Sequence, residues 1–281
     1  MLGRDRIQYK TTDQMRLMRA AGLVVADALD AVRAALRPGV TTKELDEIAH
    51  DVIRTAGALP SFLNYGHPPY PATTCISVNE EIVHGIPGAR VVAAGDLVSV
   101  DCGAILAGWH GDAAFTAIVA EPGGRPEEAG AAADRALIEV TREAMWRGIG
   151  AIAPGHRLGA IGGAIEDHVD GRYGLVEEYG GHGIGTEMHQ DPHVLNYRTR
   201  DAGRRMRSGL CLAIEPMLTA GSPATRVLPD QWTVSTVDGS RAAHWEHSVA
   251  LHEGGLWVLT ARDGGEEGLA SVGAPFAPLA G

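Results

Sequence analysis

A pattern that recurs after 114–116 residues constrains this chain more than any other feature. Gly95-Asp96-Leu97-Val98-Ser99-Val100-Asp101 is echoed, at an offset of 114, by Gly209-Leu210-Cys211-Leu212-Ala213-Ile214-Glu215. In each, a glycine enters a strand-like run and an acid closes it six residues later. Pro38-Gly39 and Pro154-Gly155, offset by 116, each stop a helical stretch. Solenoids repeat at about 20–50 residues, so this is a duplication of another kind. It implies two similar halves, about 11–120 and 126–260, closing on one site within a single domain over 1–281.

Each half opens with helices. Thr11-Thr12-Asp13 can cap one, and Met15, Met18, Ala21, Val25, Leu29, Val32 and Leu36 follow at helical spacing. Thr41-Thr42-Lys43-Glu44 opens a second, with Leu45, Ile48, Val52 and Ile53 on one side. In the second half, helices are expected from Pro126-Glu127-Glu128 to about Trp146 and from about Leu158 to Val169. Strands are expected at 75–78, 82–87, 90–92, 96–106 and 108–119. The last two pair as a hairpin across Ala107-Gly108. Ser61–Pro71 is a loop rich in Pro and Tyr, and the tail Asp263–Gly281, rich in Gly, Ala and Pro, is expected to be loosely ordered.

A net charge of −11 argues against general nucleic-acid binding, which needs a basic surface. Cys75, Cys102 and Cys211 are odd in number and far apart, which fits a reducing cytosol better than a disulfide framework. The first ten residues lack the apolar core of a signal peptide. No apolar run approaches the roughly 18 residues of a membrane span. A cytoplasmic protein with no specific nucleic acid and no membrane partner is expected.

The segment Tyr179–Pro192 carries His182 and His189, seven residues apart, with Gly180, Gly181 and Gly183 crowding the first. Glycine permits close backbone approach or positive φ, and imidazole is the commonest metal ligand and proton carrier near neutral pH. Side chains alternate along a strand, so Asp101 faces away from Val98 and Val100, and Glu215 away from Leu212 and Ile214. A lone acid at a strand end is ordinarily solvent-facing. Two at equivalent places in two half-repeats argue for a shared site. Asp112 in W-H-G-D-A-A-F and Glu246 in A-H-W-E-H-S-V also sit among strand formers. Four converging carboxylates would repel severely unless cations cancelled their charge. Carboxylates plus imidazole, without thiolate, suit Mn, Fe, Co or Zn and exclude a structural cysteine zinc site.

These motifs resemble the type I methionine aminopeptidases of the short bacterial kind, over roughly Ile7 to Leu259. The resemblance rests on S-V-N-E-E-I-V-H-G-I-P, the Asp101/Asp112 pair, Y-G-G-H-G-I-G, His189, A-I-E-P-M and W-E-H. It implies an α+β pita-bread fold: a curved antiparallel sheet of two pseudo-symmetric halves backed by helices. It also implies a monomeric catalytic domain that removes the N-terminal methionine of nascent polypeptides when the second residue is small, with a transient ribosome contact. Two divalent metal ions per chain are implied, one on Asp112, His182, Glu215 and Glu246, the other on Asp101, Asp112 and Glu246. Glu215 would be the general base, His189 would hydrogen-bond the scissile carbonyl or the tetrahedral intermediate, and His84 would lie near the substrate amine and first peptide nitrogen. Tyr70, Cys75 and Trp232 would surround the methionine side chain.

Three features depart from the family pattern. Met188 stands where an aromatic residue is frequent, the loop between Tyr65 and Tyr70 is longer than usual, and His244 replaces a common glutamine, which would alter a bond near Glu246. His110 and His247 are expected to be structural or to support the site from outside it, and Cys102 and Cys211 to fill strands. Two alternatives compete. Peptidases of X-Pro bonds share the fold but usually carry an N-terminal domain for which no room precedes Thr11. Non-catalytic pita-bread binding proteins typically lose metal acids, whereas all five ligand positions are filled here.

Overall fold

The computed structural model describes residues 7–121, 123–124 and 129–279. Helix α1 (Thr12–Ala35) starts from a capping box in which Thr11 accepts from Gln14 N and the Gln14 side chain answers. Helix α2 (Thr42–Thr55) uses Thr41 and Glu44 in the same way. The chain then forms β1 (Leu59–Pro60), β2 (Thr74–Val78), β3 (Glu81–Val83), β4 (Leu97–Leu106) and β5 (Trp109–Ile118). Helices α3 (Ala132–Gly150) and α4 (Gly159–Val169) follow. The second run of strands is β6 (Gly174–Leu175), β7 (Gly181–Gly183), β8 (Gln190–Val194), β9 (Leu210–Ile214), β10 (Met217–Thr219) and β11 (Thr225–Val227). It continues through β12 (Val234–Thr236), β13 (Ala242–His244), β14 (Glu246–His252) and β15 (Gly255–Val258), and helix α5 (Glu266–Ser271) follows.

The strands build a nine-stranded curled antiparallel sheet in the order β1-β4-β5-β14-β9-β7-β8, with β2 added on β4 and β15 on β14. Two small sheets, β13-β10-β6 and β11-β12-β3, complete it. The expected β4–β5 hairpin turns at Ala107-Gly108, both at positive φ, as a two-residue turn matching strand twist requires.

One face of the sheet is covered by helices in two groups. Val98, Val100 and Cys102 pack with Val25, Val32, Leu45 and Ile53 of α1 and α2. Leu212, Ile214 and Val249 pack with Leu137, Met145, Ile149 and Ile165 of α3 and α4. The acids therefore point to the other, concave face. Among the described residues no helix is long and apolar enough to cross a membrane.

Some boundaries differ from the sequence-based expectation. The strand expected at 82–87 ends at Val83, because His84 turns to φ +60°. The one at 90–92 reduces to a bridge between Val91 and Thr41. The expected start of α3 at 126–128 lies outside the described residues, and the helix runs four residues past Trp146, to Gly150. The expectation of a loose tail is corrected over 263–279. There α5 buries Leu269 completely. Phe276 bridges to Leu256, which exchanges hydrogen bonds with Pro275 and Ala277. Two or three apolar side chains among small residues are enough to dock this segment on the core.

Candidate metal centre and active site

Strand register gathers the acids. In β4–β5, Asp101 lies opposite Ala114, and Asp112 opposite Gly103, two positions along on the same face. Glu246 pairs with Ala114 from the other side. The β14–β9 register, with His247 opposite Ile214, brings Glu215 across from Glu246 just beyond the end of β9. His182 pairs with Ala213, two residues before Glu215. All five side chains thus project from the concave face at the centre of the sheet.

Asp112, His182 and Glu246 are buried, and each offers a ligand atom within 4.8 Å of the others. His182 Nε2 lies 3.4 Å from Glu215 Oε1 and 4.0 Å from Asp112 Oδ2. His182 Nδ1 is 3.1 Å from the Gly183 carbonyl, to which it donates, leaving Nε2 free to act as a ligand. The glycines here serve close approach and not positive φ. A Cβ on Gly181 would meet the Ala213 oxygen at 2.3 Å, and one on Gly183 the Asp191 oxygen at 2.3 Å.

The electrostatics fit a cation. Burial first, then the charges of its neighbours Glu246 and Asp101, pushes the Asp112 carboxyl well above its ordinary range. Glu215 and Glu246 are raised for the same two reasons. Burial pushes Asp101 up to about 7, and burial followed by the nearby His189 pulls His182 down to about 3. Among the described residues, Asp101 Oδ1, Asp112 Oδ1 and Glu246 Oε1 are buried without a hydrogen-bond partner. Buried carboxylate oxygens are normally satisfied, and divalent cations would satisfy these and remove the repulsion together. Oxygen donors with a single imidazole match the donor set of hard to borderline metals.

The same acids form one wall of a chamber of about 270 Å³. Phe62, Tyr65, Tyr70, Cys75, Met188 and Trp232 line its apolar side, and His84 and His189 also border it. Tyr70 is fixed by its hydroxyl, which reaches the Thr74 and Gly85 carbonyls at 3.0 and 2.9 Å. Trp232 stands edge-on to Tyr70, ring centroids 5.2 Å apart. His84 sits between Tyr179 and Trp232, at 5.6 and 6.1 Å. Burial, and then His189, lowers its pKa to about 4. His189, at the exposed mouth, packs its ring 4.3 Å from that of His182. A larger groove of about 720 Å³ on the helix side, beside Arg33, Phe115, Trp146 and Trp245, contains none of these acids.

The structure therefore brings together Asp101, Asp112, His182, Glu215, Glu246, His84, His189, Tyr70, Cys75 and Trp232. His110 instead bonds Ser61, and His247 bonds Thr260 and packs on Trp146, away from the acids. His244 Nε2 is 4.0 Å from Glu215 Oε2, so it faces the acid whose charge also acts on Glu246. Phe62 and Tyr65 were not expected in the pocket. Their signal was the tyrosine-rich loop itself, whose added length hid the alignment of its aromatic side chains with the site.

A curled antiparallel sheet with four carboxylates and an imidazole on its concave face defines a metallohydrolase of the pita-bread kind. The chain matches the model of metallopeptidase family M24 over residues 16–253 and belongs to that family, among its type I methionine aminopeptidases. It is 50% identical over 266 residues to methionine aminopeptidase 1 of Mycobacterium tuberculosis, covering 92% of this chain and 96% of that protein. The crystal structure of methionine aminopeptidase from Rickettsia prowazekii superposes with a TM-score of 0.85 at 35% identity, covering 91% of this chain and all (100%) of that one. The Thermotoga maritima methionine aminopeptidase gives 0.84 at 40% identity, with 91% and 100% covered.

Proposed function

We propose that this chain removes the N-terminal methionine of polypeptides whose second residue is small, by hydrolysis at a centre of two divalent cations drawn from Co, Mn, Fe and Zn. The observation that carries this reading is the shared chamber, in which an apolar pocket opens directly onto the acid cluster. Asp112, His182, Glu215 and Glu246 would hold one cation, and Asp101, Asp112 and Glu246 the other. Such cations supply Lewis acidity at the carbonyl and lower the pKa of the attacking water.

The chain's own groups do the rest. Glu215 takes up the proton released by the attacking water and returns it to the leaving amine. His189 donates to the carbonyl oxygen as negative charge develops there. His84, neutral because it is buried, stands beside the first peptide nitrogen and crowds the second residue. Tyr70, Cys75 and Trp232, with Phe62 and Met188, enclose an unbranched thioether chain. Three buried free cysteines suit a reducing cytoplasm, where nascent chains are the substrate. The chain would act as a monomer, meeting the ribosome transiently.

A peptide panel tests the reading: Met-Ala-Ser, Met-Leu-Ser, formyl-Met-Ala-Ser and Ala-Pro-Ser. Met-Ala-Ser should be cut fastest and the formylated peptide not at all. Equal cleavage of Met-Ala-Ser and Met-Leu-Ser would remove the second-residue claim, and preference for Ala-Pro-Ser would move the chain to the X-Pro peptidases.

A further inference from the structure

His189 has a partner that the catalytic reading does not use. Tyr65 Oη lies 2.6 Å from His189 Nδ1, with the two rings 5.2 Å apart and tilted by 49°. Tyr65 is 41% exposed, so burial of its ring gives only part of the reason for its place. The hydroxyl contact supplies the rest.

A neutral imidazole has one donor and one acceptor nitrogen, and the bond made by one decides the state of the other. A phenol with an ordinary pKa of about 10 keeps its proton at neutral pH, and burial raises that of Tyr65 further. The Tyr65 hydroxyl therefore always has a proton to donate, while its oxygen can also accept. When Nδ1 accepts from it, the ring hydrogen must sit on Nε2. That is the only neutral tautomer in which the nitrogen left for substrate can donate to a carbonyl oxygen.

We propose that Tyr65 is a positioning residue for His189: its hydroxyl donates to Nδ1 and holds the imidazole as the Nε2–H tautomer, aimed at the scissile carbonyl oxygen. The proposal rests on the reading of His189 as the carbonyl donor.

Both ends of this contact are built to stay put. On the Tyr65 side, the loop is cinched by Tyr65 N to Phe62 O, Asn64 N to Tyr70 O and Tyr70 N to Tyr65 O, each 2.8 Å. Trp232 Nε1 donates to Pro68 O at 3.1 Å. Its ring also packs so close to Gly66, at φ +71°, that a Cβ there would meet Trp232 Cη2 at 2.5 Å. On the His189 side, His110 N donates to Gly185 O at 2.9 Å. The N-terminal segment straps the same stretch: Gln8 Nε2 donates to Thr186 Oγ1 at 3.1 Å, and Lys10 Nζ to Gln190 Oε1 at 3.4 Å. A hydrogen bond between two immobilised segments orients its ring without further ordering cost.

The test combines kinetics with ring-nitrogen spectroscopy on the zinc-loaded protein. Tyr65→Phe keeps the ring and removes only the hydroxyl. We expect kcat on Met-Ala-Ser to fall about tenfold, the weight of one hydrogen bond, with KM and metal content unchanged. In the His189→Ala background the same change should cost nothing more. With nitrogen-15 histidine, the wild-type His189 signals should be those of the Nε2–H form, and those of Tyr65→Phe a mixture of tautomers. A loss confined to KM, an undiminished loss in the His189→Ala background, or an unaltered tautomer would each overturn the proposal. If the wild-type protein released no methionine, the reading of the activity would fall, and the tautomer spectra would still decide this inference.

Discussion

Ser248 and Asp112 are hydrogen-bonded to each other twice. Ser248 Oγ donates to the Asp112 carbonyl at 2.8 Å and accepts from the Asp112 N–H at 3.1 Å. One hydroxyl thereby satisfies both backbone groups of a buried acid at the point where β5 meets β14. Ser248→Ala would leave a donor and an acceptor unpaired in the core. Each such group costs roughly 1–3 kcal/mol, so a loss of about 2–4 kcal/mol in denaturant unfolding is expected. Metal affinity should weaken by about 10–100-fold, as when a ligand's supporting bonds are removed. Unchanged stability would mean that ordered water replaces the hydroxyl.

Removing the metals should also destabilise the protein. Ligands that bind only the folded state stabilise it by mass action, and here they would also relieve the repulsion among Asp101, Asp112, Glu215 and Glu246. Chelation should lower the melting temperature in calorimetry. Asp101→Asn should weaken one cation selectively, whereas Asp112→Asn and Glu246→Gln should disturb both. Metal analysis decides it: a Glu246→Gln variant that keeps full stoichiometry is incompatible with Glu246 as a bridging ligand.

The site was legible in the sequence where its cause is local. Alternation along β4 and β9 placed Asp101 and Glu215 on the face away from Val98, Val100, Leu212 and Ile214, and the helices do cover those apolar side chains. The caps at Thr11 and Thr41 were legible for the same reason, since a capping box spans only four residues. What the sequence concealed depends on contacts between distant segments. The Tyr65–His189 bond joins residues 124 apart, and the Trp232–Pro68 bond residues 164 apart. No periodicity encodes such pairs. The tail was misjudged because composition registers its small residues and not the placement of Leu269 and Phe276.

Asp46 offers a prediction in which sign matters. Its Oδ1 accepts from Thr73 N, Thr74 N and Thr74 Oγ1 at 3.0, 2.7 and 2.7 Å, tying α2 to the start of β2 beside Cys75. Burial nonetheless outweighs these bonds and raises its pKa. A raised carboxyl pKa stabilises the folded state fully below the unfolded value, about 3.9, and this contribution is lost as pH rises through the folded value. Asp46→Asn keeps an acceptor oxygen and removes the charge. Its stability relative to wild type should therefore improve between acidic and neutral pH, while Asp46→Ala should cost about 2–4 kcal/mol for the donors left unpaired. Urea melts at pH 4 and pH 7 measure both, and an Asn variant that loses ground as pH rises would contradict the assigned cause.

Phe62 should set the depth of the side-chain pocket. It is 7% exposed, meets Tyr70 edge-on at 6.5 Å and forms part of the chamber's apolar lining. Met188, 3% exposed, closes it beside His189. A thioether and an unbranched hydrocarbon chain differ little in shape, and a methylene in such a pocket is worth about 1–3 kcal/mol. Norleucine in place of methionine should therefore still be released, only more slowly. Phe62→Ala should deepen the pocket without touching the acids, so metal content should hold. Its kcat/KM for Met-Ala-Ser should fall by about tenfold or more, while peptides beginning with leucine or phenylalanine should gain relative to methionine. The deciding measurement is the ratio of kcat/KM between Phe-Ala-Ser and Met-Ala-Ser in wild type and variant. A ratio that stays constant while both rates fall would show that Phe62 only supports Tyr70, and the size limit would then lie with Trp232 and Met188.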